Sequence, residues 1–99
     1  MFNCGFIYIT DSCDPSTDHV YIPSDCGVAM QVIGVSSYAE AEEAAKKLAD
    51  AGADAIELCP GFGIEGVYRV KKAAPGVQIG VARFDFHTSM DCKSPDDIF

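Results

Sequence analysis

VIGVSSYAEAEEAAKKLADAGADAIELCPGFG, residues 32–63, sets the fold class, because a strand, a helix and a second strand follow one another in it without interruption. Residues 28–35 (VAMQVIGV) are apolar and β-branched, the composition of a buried strand. Ser37-Tyr38-Ala39-Glu40 has the form of a capping box, in which a serine side chain caps the helix start and a glutamate three residues on reaches back. Ala41, Ala44, Ala45 and Leu48 then recur at helical spacing, while Glu42 and Glu43 precede Lys46 and Lys47 by four residues. Acids first and bases last suit the helix dipole, and Gly52 supplies the stop. Residues 54–59 (DAIELC) form the next strand.

The pattern extends both ways. Residues 4–10 (CGFIYIT) predict a first strand. Residues 11–27 are rich in Asp, Ser, Pro and Cys and predict a long loop, with only His19-Val20-Tyr21-Ile22 capable of a short ordered piece. After Gly63 a second helix presents Val67, Val70 and Ala74 to the sheet and ends at Pro75-Gly76, and residues 77–84 (VQIGVARF) make a fourth strand. Residues 85–99 read as a polar tail with a helix start at Ser94-Pro95. The 99 residues therefore predict one α/β domain with a four-stranded, mainly parallel sheet in the order 2-1-3-4, joined by right-handed crossovers. Both helices fall on one face.

Strand alternation assigns Ile56, Leu58, Ile79 and Val81 to the helix side. The other face then holds Ala55, Glu57, Cys59, Gln78, Gly80 and Ala82, with Tyr8 and Gln31 as further polar groups. A parallel sheet needs both faces covered, and the loop and tail offer little apolar cover. A homo-oligomer, most simply a dimer, is the expected solution.

Composition narrows the function. Acidic residues outnumber basic ones 15 to 7, and Lys and Arg form no stripe, so neither nucleic acid nor an anionic membrane is an expected partner. The absence of a membrane-length apolar run or a signal-like start predicts a cytoplasmic protein. Five cysteines (Cys4, Cys13, Cys26, Cys59 and Cys92) without a C-x-x-C pair predict free thiols. Cys13, His19 and Cys26 share a loop with four aspartates, but soft and hard ligands are mixed there without zinc spacing, so no metal or other cofactor is expected.

The segments GFIYIT (5–10), VIGV (32–35) running into EAEEAAKKL (40–48), and above all IELCPGFG (56–63) resemble a domain-of-unknown-function family of small prokaryotic proteins of about this length, family 6506. The resemblance covers residues 1–85. It implies a compact α/β domain and brings no activity with it. Pro60 stands where the family pattern leads one to expect glycine, and the tail falls outside the resemblance.

In an open parallel sheet, ligands bind beyond the carboxyl ends of the strands where the strand order reverses, here between the first and third strands. That position brings Thr10, Asp11 and Ser12 opposite Cys59, Gly61 and Gly63. Backbone N–H groups at the start of the second helix would cradle an anion or carboxylate, with Phe62 as an apolar wall and Arg83 nearby. The competing reading makes the glycines serve only a tight turn. Glu57, an acid between Ile56 and Leu58, is expected to be buried and bonded to Arg83, Gln78 or loop amides, with a general acid or base as the alternative. Cys59 near the helix start is a candidate nucleophile or a small buried residue, and His87 a candidate proton carrier or a solvent-facing tail residue. The functional expectation is a small-ligand binding domain. An enzyme using Glu57, Cys59 or His87, and an oligomeric interaction module without a ligand, are the alternatives.

Overall fold

A computed structural model of the chain describes residues 1–85, 89 and 93–99. Its elements in chain order are β1 (Phe2–Ile9), β2 (His19–Ile22), β3 (Val28–Val35), α1 (Tyr38–Asp50), β4 (Ala55–Leu58), α2 (Ile64–Ala73) and β5 (Gln78–Val81), with a 3-10 turn at Pro95–Asp97. The sheet order is β2-β3-β1-β4-β5. β1 runs parallel to both β3 and β4, and β4 parallel to β5.

The four expected strands lie in the expected relative order, and a fifth joins them. Residues 19–22 pair antiparallel with β3, placing His19 beside Ile33 and Ile22 beside Met30. An antiparallel edge strand on a parallel sheet needs only a short connection, and the turn through Gly27, at φ 92°, provides one. The fourth expected strand is shorter than its apolar run, ending at Val81.

α1 begins as the capping box requires. Ser37 Oγ accepts from the Glu40 N–H at 3.1 Å. The Glu40 carboxylate reaches one residue further back than the usual box, accepting from the Ser36 N–H at 2.7 Å and the Ser36 hydroxyl at 2.8 Å. The expected apolar stripe, Ala41, Ala44, Ala45 and Leu48, is buried. Three alanines let the helix lie close to the sheet, and at Gly5 of β1 a Cβ would stand 2.5 Å from Leu48 Cδ1, so glycine there makes room for the leucine. α1 packs on β1 and β3, α2 on β5, and the two helices on each other. Between them Glu42 and Arg69 form a two-pronged ion pair with both bonds at 3.1 Å. Glu42 thus spends its charge on the other helix, and only Glu43 pairs along α1, with Lys46 at 3.3 Å.

The core lies between the helices and one sheet face, with Ile7, Ile9, Ile33, Val35, Ile56 and Leu58 below and Tyr38, Leu48, Phe62 and Val70 above. Gln31 is a correction: its register opposite Gly5, on the same side as Ile7 and Ile33, puts it on the helix side, where it meets His19 Nε2 at 2.9 Å. Glu57 is a second correction. It lies on the face opposite the helices and is exposed, because the described residues place no layer over that part of the sheet. Phe62 is the third. It is fully buried and stacked on Tyr38 at 5.7 Å between ring centroids, as part of the core.

Candidate functional site

The end of β4 leads into Cys59-Pro60-Gly61-Phe62-Gly63 and then α2. Cys59 N donates to the Ile7 carbonyl at 3.1 Å, extending the β1–β4 ladder by one residue, and the Phe62 N–H closes the turn on the Cys59 carbonyl. Gly61 is required by crowding, since a Cβ there would stand 2.6 Å from Ile9 Cγ2. Its N–H donates to Cys59 Sγ at 3.3 Å.

Beyond this turn lies the start of α2, where the sequence places an anion cradle. The chain fills it with its own carboxylate. Asp96, from the 3-10 turn, accepts from the Glu65 N–H at 3.1 Å and the Gly66 N–H at 3.3 Å. Tyr38 joins the arrangement from α1: its hydroxyl accepts from the Gly63 N–H at 3.0 Å and donates to Asp96 Oδ1 at 2.8 Å. Gly63, the N-cap residue, has no side chain to cap the helix, so Asp96 performs that role from the far end of the chain. A Cβ at Gly63 would collide with the Asp96 carboxylate. At Gly66 it would meet the Tyr38 ring.

The electrostatics follow the contacts. Burial pushes the Tyr38 phenol up to about 12, and the neighbouring Asp96 charge adds to the rise. For Asp96, partial burial works against the charge, but the Glu65 amide, the Tyr38 hydroxyl, the Gly66 amide and the nearby Arg83 outweigh it and hold the carboxyl below its ordinary value. The tail is not merely a polar extension, for Ser94 caps its turn and Phe99 packs on Tyr38 at 6.3 Å.

Asp96 thus latches the tail to the start of α2, and beside this latch is a cleft of about 440 Å³, lined among others by Tyr8, Thr10, Asp11, Cys59, Gly61 and Phe99. It lies at the expected strand ends and gathers four of the expected ligand residues: Thr10, Asp11, Cys59 and Gly61. Ser12, Glu57, Phe62, Gly63 and Arg83 do not line it. Phe62 and Gly63 serve the core and the Asp96 latch, Arg83 donates to the Pro60 carbonyl at 3.4 Å, and Glu57 lines a separate hollow on the open face. Glu57 and Cys59 therefore line different hollows. His87 lies outside the described residues. Thr10, on the cleft wall, donates its hydroxyl to Cys13 Sγ at 3.1 Å.

Tyr38, Asp96, Tyr8 and the Ile98-Phe99 end were not singled out from the sequence as site residues. For Asp96 one signal existed, the Ser94-Pro95 turn start, but nothing local says which helix its carboxylate will meet. A second cleft of about 300 Å³ between α1 and the β2–β3 edge is lined by His19, Gln31, Glu43 and Lys47 over an apolar floor. Among the described residues no group of three or more His, Cys, Asp or Glu is arranged to hold a metal ion, and no helix is long and apolar enough to cross a membrane. Cys4, Cys13, Cys26 and Cys59 are free thiols.

Comparison with curated proteins and with solved structures gave no match. The family comparison did, and it reaches past the expected limit at residue 85 to include the tail that carries Asp96: matched over residues 2–97, the chain belongs to the Family of unknown function (DUF6506).

Proposed function

We propose that the protein binds a small carboxylate or similar anion at the carboxyl ends of β1 and β4. The body of the ligand would lie in the cleft lined by Thr10, Asp11, Cys59 and Gly61, and its charged group would compete with Asp96 for the start of α2. The observation that carries this reading is the seat of Asp96. A carboxylate already fits the Glu65 and Gly66 amides and the Tyr38 hydroxyl, next to a cleft large enough for a small molecule. A helix start with free N–H groups favours an anion electrostatically, whichever molecule supplies it. On this reading the tail is an internal stand-in that keeps the cradle filled when ligand is absent.

The test is to empty the cradle. Asp96→Ala removes the internal carboxylate, and thermal shift is measured for it and the wild type against short mono- and dicarboxylates and inorganic phosphate. Asp96→Ala is expected to gain several degrees at millimolar anion and the wild type less, because the wild type must first release its own carboxylate. Equal, negligible shifts for both proteins would rule the reading out and leave Asp96 as a helix cap alone.

A further inference from the structure

The sheet face opposite the helices is the largest feature without an assigned role. Register puts Phe2, Phe6, Met30 and Val32 on it, and β2 extends it with Val20 and Ile22. Phe2, Val20 and Ile22 are each more than two-fifths exposed. We propose that this face is the interface of a symmetric homodimer, centred on the hollow over Ala55 and Gly80.

The argument for a second copy rests first on area. With strands about 4.8 Å apart and a rise of about 3.3 Å per residue, the five strands present a footprint of roughly 450 Å². The largest apolar patch on a monomer is about 300–600 Å² and often functional, and a footprint of this size supplies about half of a standard interface of about 800 Å² per partner, the surrounding loops forming the rim. Among the described residues the loop after β1 closes only the Tyr8–Gly34 corner, where Cys13 stands against both, and the rest of the face is left open. β2 widens the sheet instead of crossing it, and the Pro95–Asp97 turn docks on α2.

Charge is the second consideration. The chain carries a net charge of −8, so two copies repel over most orientations. On the strand positions of this face Glu57 is the one carboxylate, with Asp18 near its Tyr8 edge, so two copies meet there with fewer like charges than the net charge alone implies. The same −8 disfavours an anionic lipid surface or a nucleic acid as the occupant.

The face also carries a hollow beside a polar pair. A hollow of about 340 Å³ runs over Ala55 and Gly80 between the rings of Phe2 and Phe6, Met30, and the polar pair Glu57 and Gln78. Ala55 stands beside Gln78 and Glu57 beside Gly80, so the carboxylate and the amide are diagonal neighbours on adjacent strands. A two-fold axis beside the hollow would let each Glu57 accept from the partner's Gln78 amide while a phenylalanine at the rim of one copy enters the hollow of the other. An isologous interface requires that reciprocity.

Gly80 gives a test that spares the fold. A Cβ there meets nothing within 4 Å and the position does not have a positive φ, so a larger residue fits the single chain. Light scattering at micromolar concentration is expected to give about twice the 10.5 kDa chain mass for the wild type. Gly80→Arg is expected to give the single-chain mass with unchanged circular dichroism, its dissociation constant raised at least a hundredfold. Tyr68→Ser, on the exposed side of α2, serves as the control and is expected to stay dimeric. The proposal is overturned if the wild type is monomeric up to several hundred micromolar, if Gly80→Arg remains a dimer, or if Tyr68→Ser alone dissociates it. Pull-down of a different protein or of anionic vesicles by a monomeric wild type would assign the face to that occupant instead.

Discussion

The Tyr38 hydroxyl donates a 2.8 Å hydrogen bond to the Asp96 carboxylate across 58 residues of sequence, and accepts one of 3.0 Å from the Gly63 amide. One phenol therefore joins α1, the start of α2 and the end of the chain. Its ring is stacked on Phe62 and has the Arg69 guanidinium carbon 5.6 Å from its centre, so the hydroxyl is held by a side chain with little freedom to swing away. The tail is tied to the site by a group whose position the core determines.

Tyr38→Phe keeps the ring and removes the tie. The Gly63 N–H then lacks its acceptor inside the protein, and Asp96 loses one donor. A hydrogen bond to a charged group and an orphaned buried donor each cost about 1–3 kcal/mol, so urea unfolding is expected to show a loss of about 2 kcal/mol with the m-value unchanged. A loss below about 0.5 kcal/mol would mean that water replaces the hydroxyl without penalty.

Acid is expected to release the tail before the domain unfolds. The Asp96 carboxyl is held below its ordinary value of 3.8, so its contribution to stability is fully present above that value and is lost as pH falls through the lower value it has in the folded protein. Amide exchange at Glu65 and Gly66 is the local readout. It is expected to show protection falling in this acid range in the wild type, and protection already low and insensitive to this titration in Asp96→Asn.

The helices and four strands were legible in the sequence because their signals are local: a capping box, an alanine stripe at helical spacing and β-branched runs. β2 was harder to read, since four residues inside a polar loop gain their order from β3 and not from their own composition. Gln31 was misassigned because alternation tells two faces apart without saying which one a helix covers, and the Gly5–Leu48 contact decides that. Glu57 was expected to be buried because it stands between Ile56 and Leu58 on an interior strand, but alternation turns it to the face opposite the helices, where it is exposed. The strand-end location of the cleft followed from topology. Its filling by Asp96 did not, because a cap supplied from 31 residues away leaves no periodic trace in either segment.

Alkali is expected to weaken the fold in a defined window. The Tyr38 phenol rises from 10.0 to about 12, so below pH 10 it is neutral in both the folded and unfolded states and contributes no pH dependence. Between pH 10 and about 12 the unfolded chain ionises while the folded one resists, and stability falls as pH rises, by up to about 3 kcal/mol at 1.36 kcal/mol per unit of pKa. Chemical denaturation at pH 9 and 11.5 measures this, with Tyr38→Phe expected to show a flatter dependence than the wild type.

The final prediction concerns Gly63, whose φ of −81° any residue adopts, so glycine is not there for backbone freedom. It is there for space: a Cβ would collide with the Asp96 carboxylate. Gly63→Ala is therefore expected to act by expelling Asp96, and its cost should resemble the loss of a helix cap, about 1–2 kcal/mol. The double variant distinguishes this from a general disturbance of the turn. If the alanine works through Asp96, removing Asp96 as well adds almost nothing, and Gly63→Ala/Asp96→Ala is expected to be no less stable than either single variant within about 0.5 kcal/mol. Additive losses would place the effect of Gly63 elsewhere in the Cys59–Gly63 turn. The same cycle read by amide exchange at Gly66 should give one level of protection for all three variants, below that of the wild type, because in each of them the start of α2 has lost the same carboxylate.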